Sequence, residues 1–317
     1  MGVLTQRFFL WYKSNANIIV LLYAISSAVL TINALFTIAF VIEILQFSPT
    51  DIRQHTGFTP FNTFLSGVQP GSFADVVSHL YLVSSIVSFM ATWSATALLL
   101  RHYSKRLGNA KYWILVSIPL AYFISQFISL VLSVFLPLLK SEPVHYGILF
   151  TLIFTLSKPA GGILFGIAFW SITRNIDKNS ILRYYMILSG IGFILLYTSN
   201  QAIILLSIPY PPFGLATVTF VGLSSYLILV GIYSSAVSVS GDVKLRKSIR
   251  EFTIKESKLL DSIGFAQMVK ETEKRALHMT EQFKAEMLAQ SGIEPSVNED
   301  EIKEYIEEAL KEVHKSK

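Results

Sequence analysis

The chain contains no cysteine, and only 15% of its 317 residues are charged. The first absence excludes disulfide bonds, thiolate metal sites and cysteine nucleophiles. The low content of charged residues excludes an ordinary soluble domain, in which about a quarter of the residues carry a charge. Hydrophobic residues make up 52% of the chain, and the mean hydropathy is +0.52. This composition is typical of an integral membrane protein.

The few charges are unevenly distributed. Residues 1–240 contain 12 Lys or Arg and 5 Asp or Glu, whereas residues 241–317 contain 14 and 16. The formal net charge of +5 therefore comes from the apolar part, and the charged tail is weakly acidic. Because no basic stripe is present, we expect no nucleic acid partner.

Enzyme motifs are also missing. The sequence has no Gly-x-Ser-x-Gly, no His-Glu-x-x-His and no Gly-x-Gly-x-x-Gly, which are the patterns of common nucleophile, zinc and dinucleotide sites. We therefore expect the protein not to be an enzyme, and we predict no cofactor.

Six stretches reach the length of about 20 apolar residues that a membrane-spanning helix needs. They lie at residues 18–45, 76–100, 112–139, 147–170, 184–207 and 215–239. The sequence thus predicts an all-α polytopic membrane protein: an interfacial N-terminal segment at 1–17, a six-helix bundle at 18–240 built from three hairpins, and a charged helical tail at 241–317.

The connecting loops predict the orientation. Lys and Arg collect in cytoplasmic loops, and here they concentrate in the second and fourth loops and after the sixth span: Arg101, Lys105, Arg106, Lys111; Arg174, Lys178, Arg183; Lys244, Arg246, Lys247 and Arg250. We therefore expect a multi-pass protein of the cell membrane with both termini in the cytoplasm.

Carboxamide side chains occur at comparable depth in the helices that run outward. They are Asn33, Gln126, Asn200 and Gln201. One interpretation is that each amide bonds the backbone of a neighbouring helix, which contributes about 0.6 to 2 kcal/mol. The other is that they converge on the bundle axis and form part of a ligand or ion pathway.

Lys158 is the charge nearest the middle of a predicted span, about twelve residues from either end. An intramembrane lysine costs about 2.5 to 3.5 kcal/mol on insertion scales and usually marks function. It precedes Pro159 and two glycines, which weaken a helix. One interpretation is that the segment around Lys158 binds an anion, couples a proton or responds to voltage. The other is that it is a helix kink that packs against neighbouring helices. Glu43 is the nearest candidate counter-ion, roughly 12 Å away in depth.

Three carboxylate and histidine pairs are predicted on the outer side: Asp51 with His55, Asp75 with His79, and Glu142 with His145. Their spacing of three or four residues places each pair on one face of a helix. Such groups suit zinc or copper or a pH response, although the spacing matches no known ligand motif.

The tail shows the periodicity of exposed helices. A first apolar stripe runs from Leu245 to Ala266 and is typical of a coiled coil. We expect Gly264 to interrupt the helix near the end of this stripe. A last helix is expected after the capping box formed by Ser296 and Glu299. Its apolar residues are Ile302, Ile306, Leu310 and Val313. The tail has too little apolar content for a domain of its own, so we expect it to dock on a second copy, on the cytoplasmic loops or on a partner.

Four sequence segments carry a resemblance to a known group: SKPAGGILFGIAFW, SNQAIILLSIPYPPFG, GLSSYLILVGIYSSAVSVSGDVKLRKSIR and ESKLLDSIGFAQM. Together they span about residues 157–268. This part of the chain resembles uncharacterised multi-pass membrane proteins of ammonia-oxidising archaea. The resemblance implies an archaeal host, and it implies no activity.

These patterns favour a membrane sensor or signalling adaptor, in which the bundle passes a signal through its last span to the tail. Two alternatives stay open. One is a small transporter or channel with a midplane site at Lys158, and the other is an accessory subunit of a membrane complex. The expected partners are the lipid bilayer and either a second copy or another protein at the tail.

Overall fold

The computed structural model describes residues 1–45, 71–125, 156–176, 180–199, 213–243, 245–246, 249, 258–291, 304–305 and 308. The regular elements in these ranges are all helical, which confirms the all-α class. They are α1 (Gly2–Ser14), α2 (Ile18–Leu45), α3 (Phe73–Leu100), α4 (Ser104–Leu107), α5 (Asn109–Ser125), α6 (Ser157–Ile172), α7 (Ile181–Ser199), α8 (Phe213–Gly241) and α9 (Lys258–Ser291). Short 3-10 turns at Arg101–Tyr103 and Thr173–Asn175 follow α3 and α6.

Within the described residues, four helical stretches are long and apolar enough to cross a membrane. They are Ile18–Phe36, Asp75–Leu107, Ile181–Ser199 and Phe220–Gly241. These stretches coincide with the first, second, fifth and sixth predicted spans, and they agree with a membrane protein at that coarser level.

The third and fourth predicted spans are described only in part. Of residues 112–139 the structure describes the portion within α5, and of residues 147–170 mainly the portion within α6. The remaining residues of both lie outside the described ranges. The count of six spans and the arrangement as three hairpins therefore stay predictions.

Helices α6, α7 and α8 pack closely because glycines remove side chains where the backbones meet. A Cβ on Gly166 of α6 would lie 2.8 Å from the Gly190 carbonyl oxygen of α7. A Cβ on Gly231 of α8 would lie 2.6 Å from the Tyr185 carbonyl oxygen of α7. Small residues at such crossings are typical of helix association in lipid.

Aromatic rings join the shorter helices to the long ones. The Phe89 ring of α3 stacks on the Phe123 ring of α5, with centroids 4.0 Å apart. Its edges meet Phe165 of α6 and Tyr197 of α7 at 5.4 and 5.7 Å. Offset and edge-to-face pairs of this kind add about 0.5 to 1.5 kcal/mol each beyond their buried area. Helices α5 and α6 therefore belong to the same bundle as the four long stretches.

Helix α1 packs one face against the rest of the chain. Its residues Leu4, Phe8 and Trp11 are each only 1% exposed, because their spacing of four and three places them on one face. The chain leaves the helix at Asn15, whose backbone is extended. The rings of Phe8 and Trp11 thus lie in the core, and Phe9 on the other face is exposed. The interfacial position expected for residues 1–17 stays a prediction.

Helix α9 contacts α8, α1 and α2 of the same chain. Its docked face consists of Leu259, Leu260, Ile263, Ala266 and Gln267, all buried. The helix continues through Gly264, so the predicted interruption there is wrong. A Cβ on Gly264 would clash with Val239 Cγ1 of α8, so the glycine permits close approach of the two helices.

The glycine crossing gives a first testable expectation. The substitution Gly166→Ala should lower the free energy of unfolding by about 1 to 3 kcal/mol, since overpacking forces neighbouring groups apart. The Gly222→Ala variant on α8 is the matched control, because nothing lies within 4 Å of a Cβ built there. Thermal unfolding in detergent measures both, and equal melting temperatures would contradict the close crossing.

Candidate functional site

Lys158 lies in the first turn of α6 and reaches α3. Its Nζ donates a hydrogen bond to Tyr81 Oη at 3.0 Å and lies 5.1 Å from the centroid of the same ring. Because α6 begins at Ser157, Pro159 also falls in the first turn, where a missing N–H is tolerated. The lysine is half-buried, and Tyr81 is only 8% exposed. An ammonium held in this way can pair with a carboxylate, a phosphate or a halide.

Asn33 of α2 binds the backbone of the same tyrosine. Its Nδ2 donates to the Tyr81 carbonyl oxygen at 3.0 Å and to Ser84 Oγ at 2.9 Å. Ser84 in turn donates to the Tyr81 carbonyl at 3.0 Å. Two predicted site residues, Lys158 and Asn33, are therefore joined through Tyr81, although they lie on helices α6 and α2. We call Lys158, Tyr81, Ser84 and Asn33 the Tyr81 cluster.

The cluster lies in the first half of α3, which runs from Phe73 to Leu100. Tyr81 follows Asp75 by six residues, which is roughly 9 Å along the axis. The midplane position of the ammonium that the sequence suggests stays a prediction.

A row of hydroxyl side chains continues from Tyr81 along one face of α3. We call it the hydroxyl stripe, and it consists of Ser84, Ser85, Ser88, Thr92 and Thr96, all buried. In lipid a buried hydroxyl needs a partner. Ser88 donates to the Ser85 carbonyl and Thr92 to the Ser88 carbonyl, at 3.0 and 2.8 Å.

The hydroxyl stripe also joins α3 to two other helices. Thr92 Oγ1 is hydrogen-bonded to Ser26 Oγ of α2 and, at 2.5 Å, to Tyr197 Oη of α7. One turn further along, Tyr23 Oη of α2 lies 3.4 Å from Thr96 Oγ1. These contacts satisfy the hydroxyls and hold α2, α3 and α7 in a fixed register.

The side chains of the other four predicted pathway residues lie outside the described part of the chain. Gln126, Asn200 and Gln201 lie outside the described residues. Glu43 is placed in the last turn of α2, and its side chain is not described.

The structure describes one of the three carboxylate and histidine pairs that were predicted as metal ligands. His79 Nδ1 lies 3.2 Å from Asp75 Oδ1 and 2.8 Å from the Asp75 carbonyl oxygen. Asp75 also helps to fix the start of α3, because its Oδ2 accepts a hydrogen bond from the Gly71 backbone at 2.9 Å and its own backbone N–H donates to Oγ of the N-cap residue Ser72 at 3.3 Å. The other four residues, Asp51, His55, Glu142 and His145, fall outside the described residues. Among those that are described, no group of three potential ligands comes together.

A second polar site joins α9 to the bundle, and sequence reasoning missed it. Trp11 Nε1 of α1 donates to Gln267 Oε1 at 3.2 Å. Gln267 Nε2 and Ser240 Oγ of α8 each donate to Glu271 Oε1 at 3.1 Å. Asn17 Nδ2, just before α2, donates to Ser262 Oγ at 2.6 Å. We call these six residues the α9 junction.

Two basic side chains lie near the α9 junction. Burial and the neighbouring Arg7 guanidinium lower the pKa of Lys270, while Glu273 opposes the shift. Arg7 also stacks over the Tyr233 ring of α8 at 5.1 Å from its centroid. Basic groups from α1 and α9 are therefore held near each other, and an aromatic face stabilises one of them.

Two sequence signals point to these contacts. Tyr81, Ser84, Ser88, Thr92 and Thr96 recur at steps of three or four residues, which is the period of one helix face. The polar residues Ser262 and Gln267 interrupt the apolar stripe of α9 and mark where it meets other polar groups. Neither signal identifies the partner helix, since periodicity gives a face and not its neighbour.

The Tyr81 cluster yields a second expectation. Replacing Asn33, which is fully buried, by leucine removes two interhelical hydrogen bonds at similar volume. The expected loss is about 1 to 2 kcal/mol of unfolding free energy, measured by thermal unfolding in detergent. Thr198→Val is the control, because that hydroxyl is exposed and bonds its own helix at Ile194. A variant as stable as the control would show that the amide contributes no packing energy.

Comparison with protein-family models, curated proteins and solved structures finds no match to this chain. The resemblance to archaeal membrane proteins therefore stays a prediction. A function for the Tyr81 cluster and the α9 junction therefore has to be inferred from their contacts and from the helices that connect them.

Proposed function

We propose that this chain is a multi-pass protein of the cell membrane that acts as a sensor or signalling adaptor. The state of its helical bundle is relayed to α9, which lies in the cytoplasm. One observation carries the proposal: a single helix, α2, takes part in both the Tyr81 cluster and the α9 junction.

Helix α2 connects the two sites directly. Asn33 contributes to the Tyr81 cluster, and Asn17, sixteen residues earlier, contributes to the junction. This separation is roughly 24 Å along the axis. Asn17 Oδ1 also accepts a hydrogen bond from the Ile19 backbone at 2.9 Å, so the same side chain caps α2 and binds α9. A shift of α2 along or around its axis therefore changes the Asn17–Ser262 contact.

Helix α8 supplies the second connection. Ser240, at its end, binds Glu271, and Val239 packs against Gly264. Because α9 is bonded to α1, α2 and α8 together, relative motion of these helices has to reposition or release it. Two discrete arrangements of such a packed element are what a relay requires.

The orientation is supported by the charges at the end of the bundle where α9 lies. The connections there, around α4 and between α6 and α7, carry the basic residues Arg101, Lys105, Arg106, Arg174 and Arg183. By the positive-inside rule this end faces the cytoplasm, and a cytoplasmic α9 is available to intracellular partners.

The relay is testable with paired cysteines, since the chain has none of its own. In an Asn17→Cys, Ser262→Cys variant in native membranes, oxidation should join the two positions, because their side chains already touch. Adding Lys158→Met, which perturbs the Tyr81 cluster, should change the rate of disulfide formation at least roughly fivefold, the lower end of typical coupling between linked sites.

The matched control is Lys111→Met, which removes an exposed lysine without touching the cluster. The disulfide should form at the unmodified rate in this background. Identical rates in the Lys158 and Lys111 variants would contradict a relay through α2.

A second candidate function is transport, and the ammonium of Lys158 between α3 and α6 favours it. In this case reconstituted vesicles should show a flux of anions, ammonium or protons that Lys158→Met abolishes and Lys111→Met leaves unchanged. Vesicles without any flux that depends on Lys158 would argue against transport.

A further inference from the structure

Two basic residues from distant parts of the sequence come together beside the α9 junction. Arg7 lies on α1 one helical turn before Trp11, and Lys270 lies on α9 one turn after Gln267. The hydrogen bond between Trp11 and Gln267 fixes the two helices at the neighbouring level. The two cations are close enough to interact, because the Arg7 guanidinium adds to the effect of burial in lowering the pKa of Lys270.

Carboxylates nearby do not neutralise this pair by direct contact. In the part of the chain that the structure describes, neither cation forms an ion pair. Glu273 attracts Lys270 electrostatically without pairing with it. Glu271, the next residue on α9, already accepts hydrogen bonds at Oε1 from Gln267 and Ser240. Two like charges held side by side repel each other, and an anion placed between them turns this repulsion into attraction.

The position of Arg7 leaves its donors available to such an anion. Its Cζ lies 5.1 Å from the centroid of the Tyr233 ring on α8, and an aromatic face stabilises a cation electrostatically. Among the described residues, no acceptor takes a hydrogen bond from this guanidinium. A guanidinium binds the oxygens of a phosphate through two parallel N–H groups, and a lysine ammonium adds a compact charge with three donors.

We propose that Arg7 and Lys270 form a binding site for a phosphate group between α1, α8 and α9. The phosphate belongs to an anionic phospholipid or to a soluble phosphate compound, and the chemistry of recognition is the same for both. Its oxygens accept hydrogen bonds from the guanidinium and the ammonium, while Tyr233 holds the guanidinium from α8. The proposal goes beyond the relay function and does not depend on it.

Exposed apolar side chains beside Arg7 suit the phospholipid source. Val3 precedes Arg7 by four residues and Leu10 follows it by three, so the three share one face of α1. Val3 and Leu10 are 57% and 37% exposed. A basic residue among exposed apolar ones on a helix is typical of contact with the headgroup region of a membrane.

A phosphate at this site stabilises the docked position of α9. Bound to both cations it joins α1 to α9, whereas in its absence the repulsion between Arg7 and Lys270 opposes their contact. Because a ligand stabilises the state to which it binds, phosphate should raise the melting temperature of the protein. The concentration at which half of the effect is reached gives an apparent Kd.

The test uses the full-length protein in a neutral detergent, with inorganic phosphate as the probe and chloride at equal ionic strength as the reference. Phosphate should raise the melting temperature saturably, and chloride should not. Lys270→Gln and, separately, Arg7→Gln should weaken the apparent Kd at least roughly tenfold, because each removes charge-assisted hydrogen bonds. Lys270→Arg should retain most of the affinity, because it keeps the charge.

Lys13→Gln is the matched control. It removes one positive charge from the same helix, and the lysine is exposed and lies roughly 120° around α1 from Arg7. This variant should bind phosphate with the affinity of the unmodified protein. Equal losses of affinity in the Lys13 and Lys270 variants would show a general effect of net charge and would overturn the site.

Short-chain lipids in the same detergent separate the two sources of phosphate. Stabilisation by dioctanoyl phosphatidic acid at lower concentrations than by inorganic phosphate, lost in Lys270→Gln, identifies a phospholipid ligand. Stabilisation by inorganic phosphate alone, again lost in this variant, identifies a soluble one. Zwitterionic dioctanoyl phosphatidylcholine should have no such effect. The absence of any stabilisation by both phosphate probes would contradict the proposal.

Discussion

Close approach between helices is the constraint on which the rest of this structure depends. Helices as apolar as α2, α3, α7 and α8 gain little in lipid from placing one leucine against another, because lipid tails are equally apolar. Their contacts rely on glycines that let backbones touch, as at Gly166 and Gly190, and on hydroxyls that bond across helices, as at Thr92. Both devices require a fixed register, so the bundle resists gradual deformation.

The end of the bundle at α9 follows different physics. There the docked face of α9 buries leucine and isoleucine against α1 and α8, as a helix does in water, where removal of apolar area supplies the free energy. The hydrogen bonds of Trp11, Gln267 and Glu271 give this contact its specificity. Because this contact differs in kind from the packing of the long apolar helices, we place the proposed relay here.

Much of the secondary structure could be predicted from the sequence. The long apolar runs identify α2, α3, α7 and α8, because length and hydropathy alone decide whether a helix can cross a bilayer. Lys158 and Asn33 stand out as polar residues in apolar surroundings, and both belong to the Tyr81 cluster. The expected break at Gly264 was wrong, since a glycine that weakens an isolated helix also allows Val239 to approach.

The sequence by itself determined which segments are apolar helices, which face of each helix is polar, and where the basic residues concentrate. Only the tertiary structure decided that Tyr81 joins Lys158 to Asn33, and that α9 docks on its own chain through Trp11, Asn17 and Ser240. The physical reason is that a period of 3.6 residues specifies a face, whereas the neighbour of that face depends on how helices far apart in sequence pack.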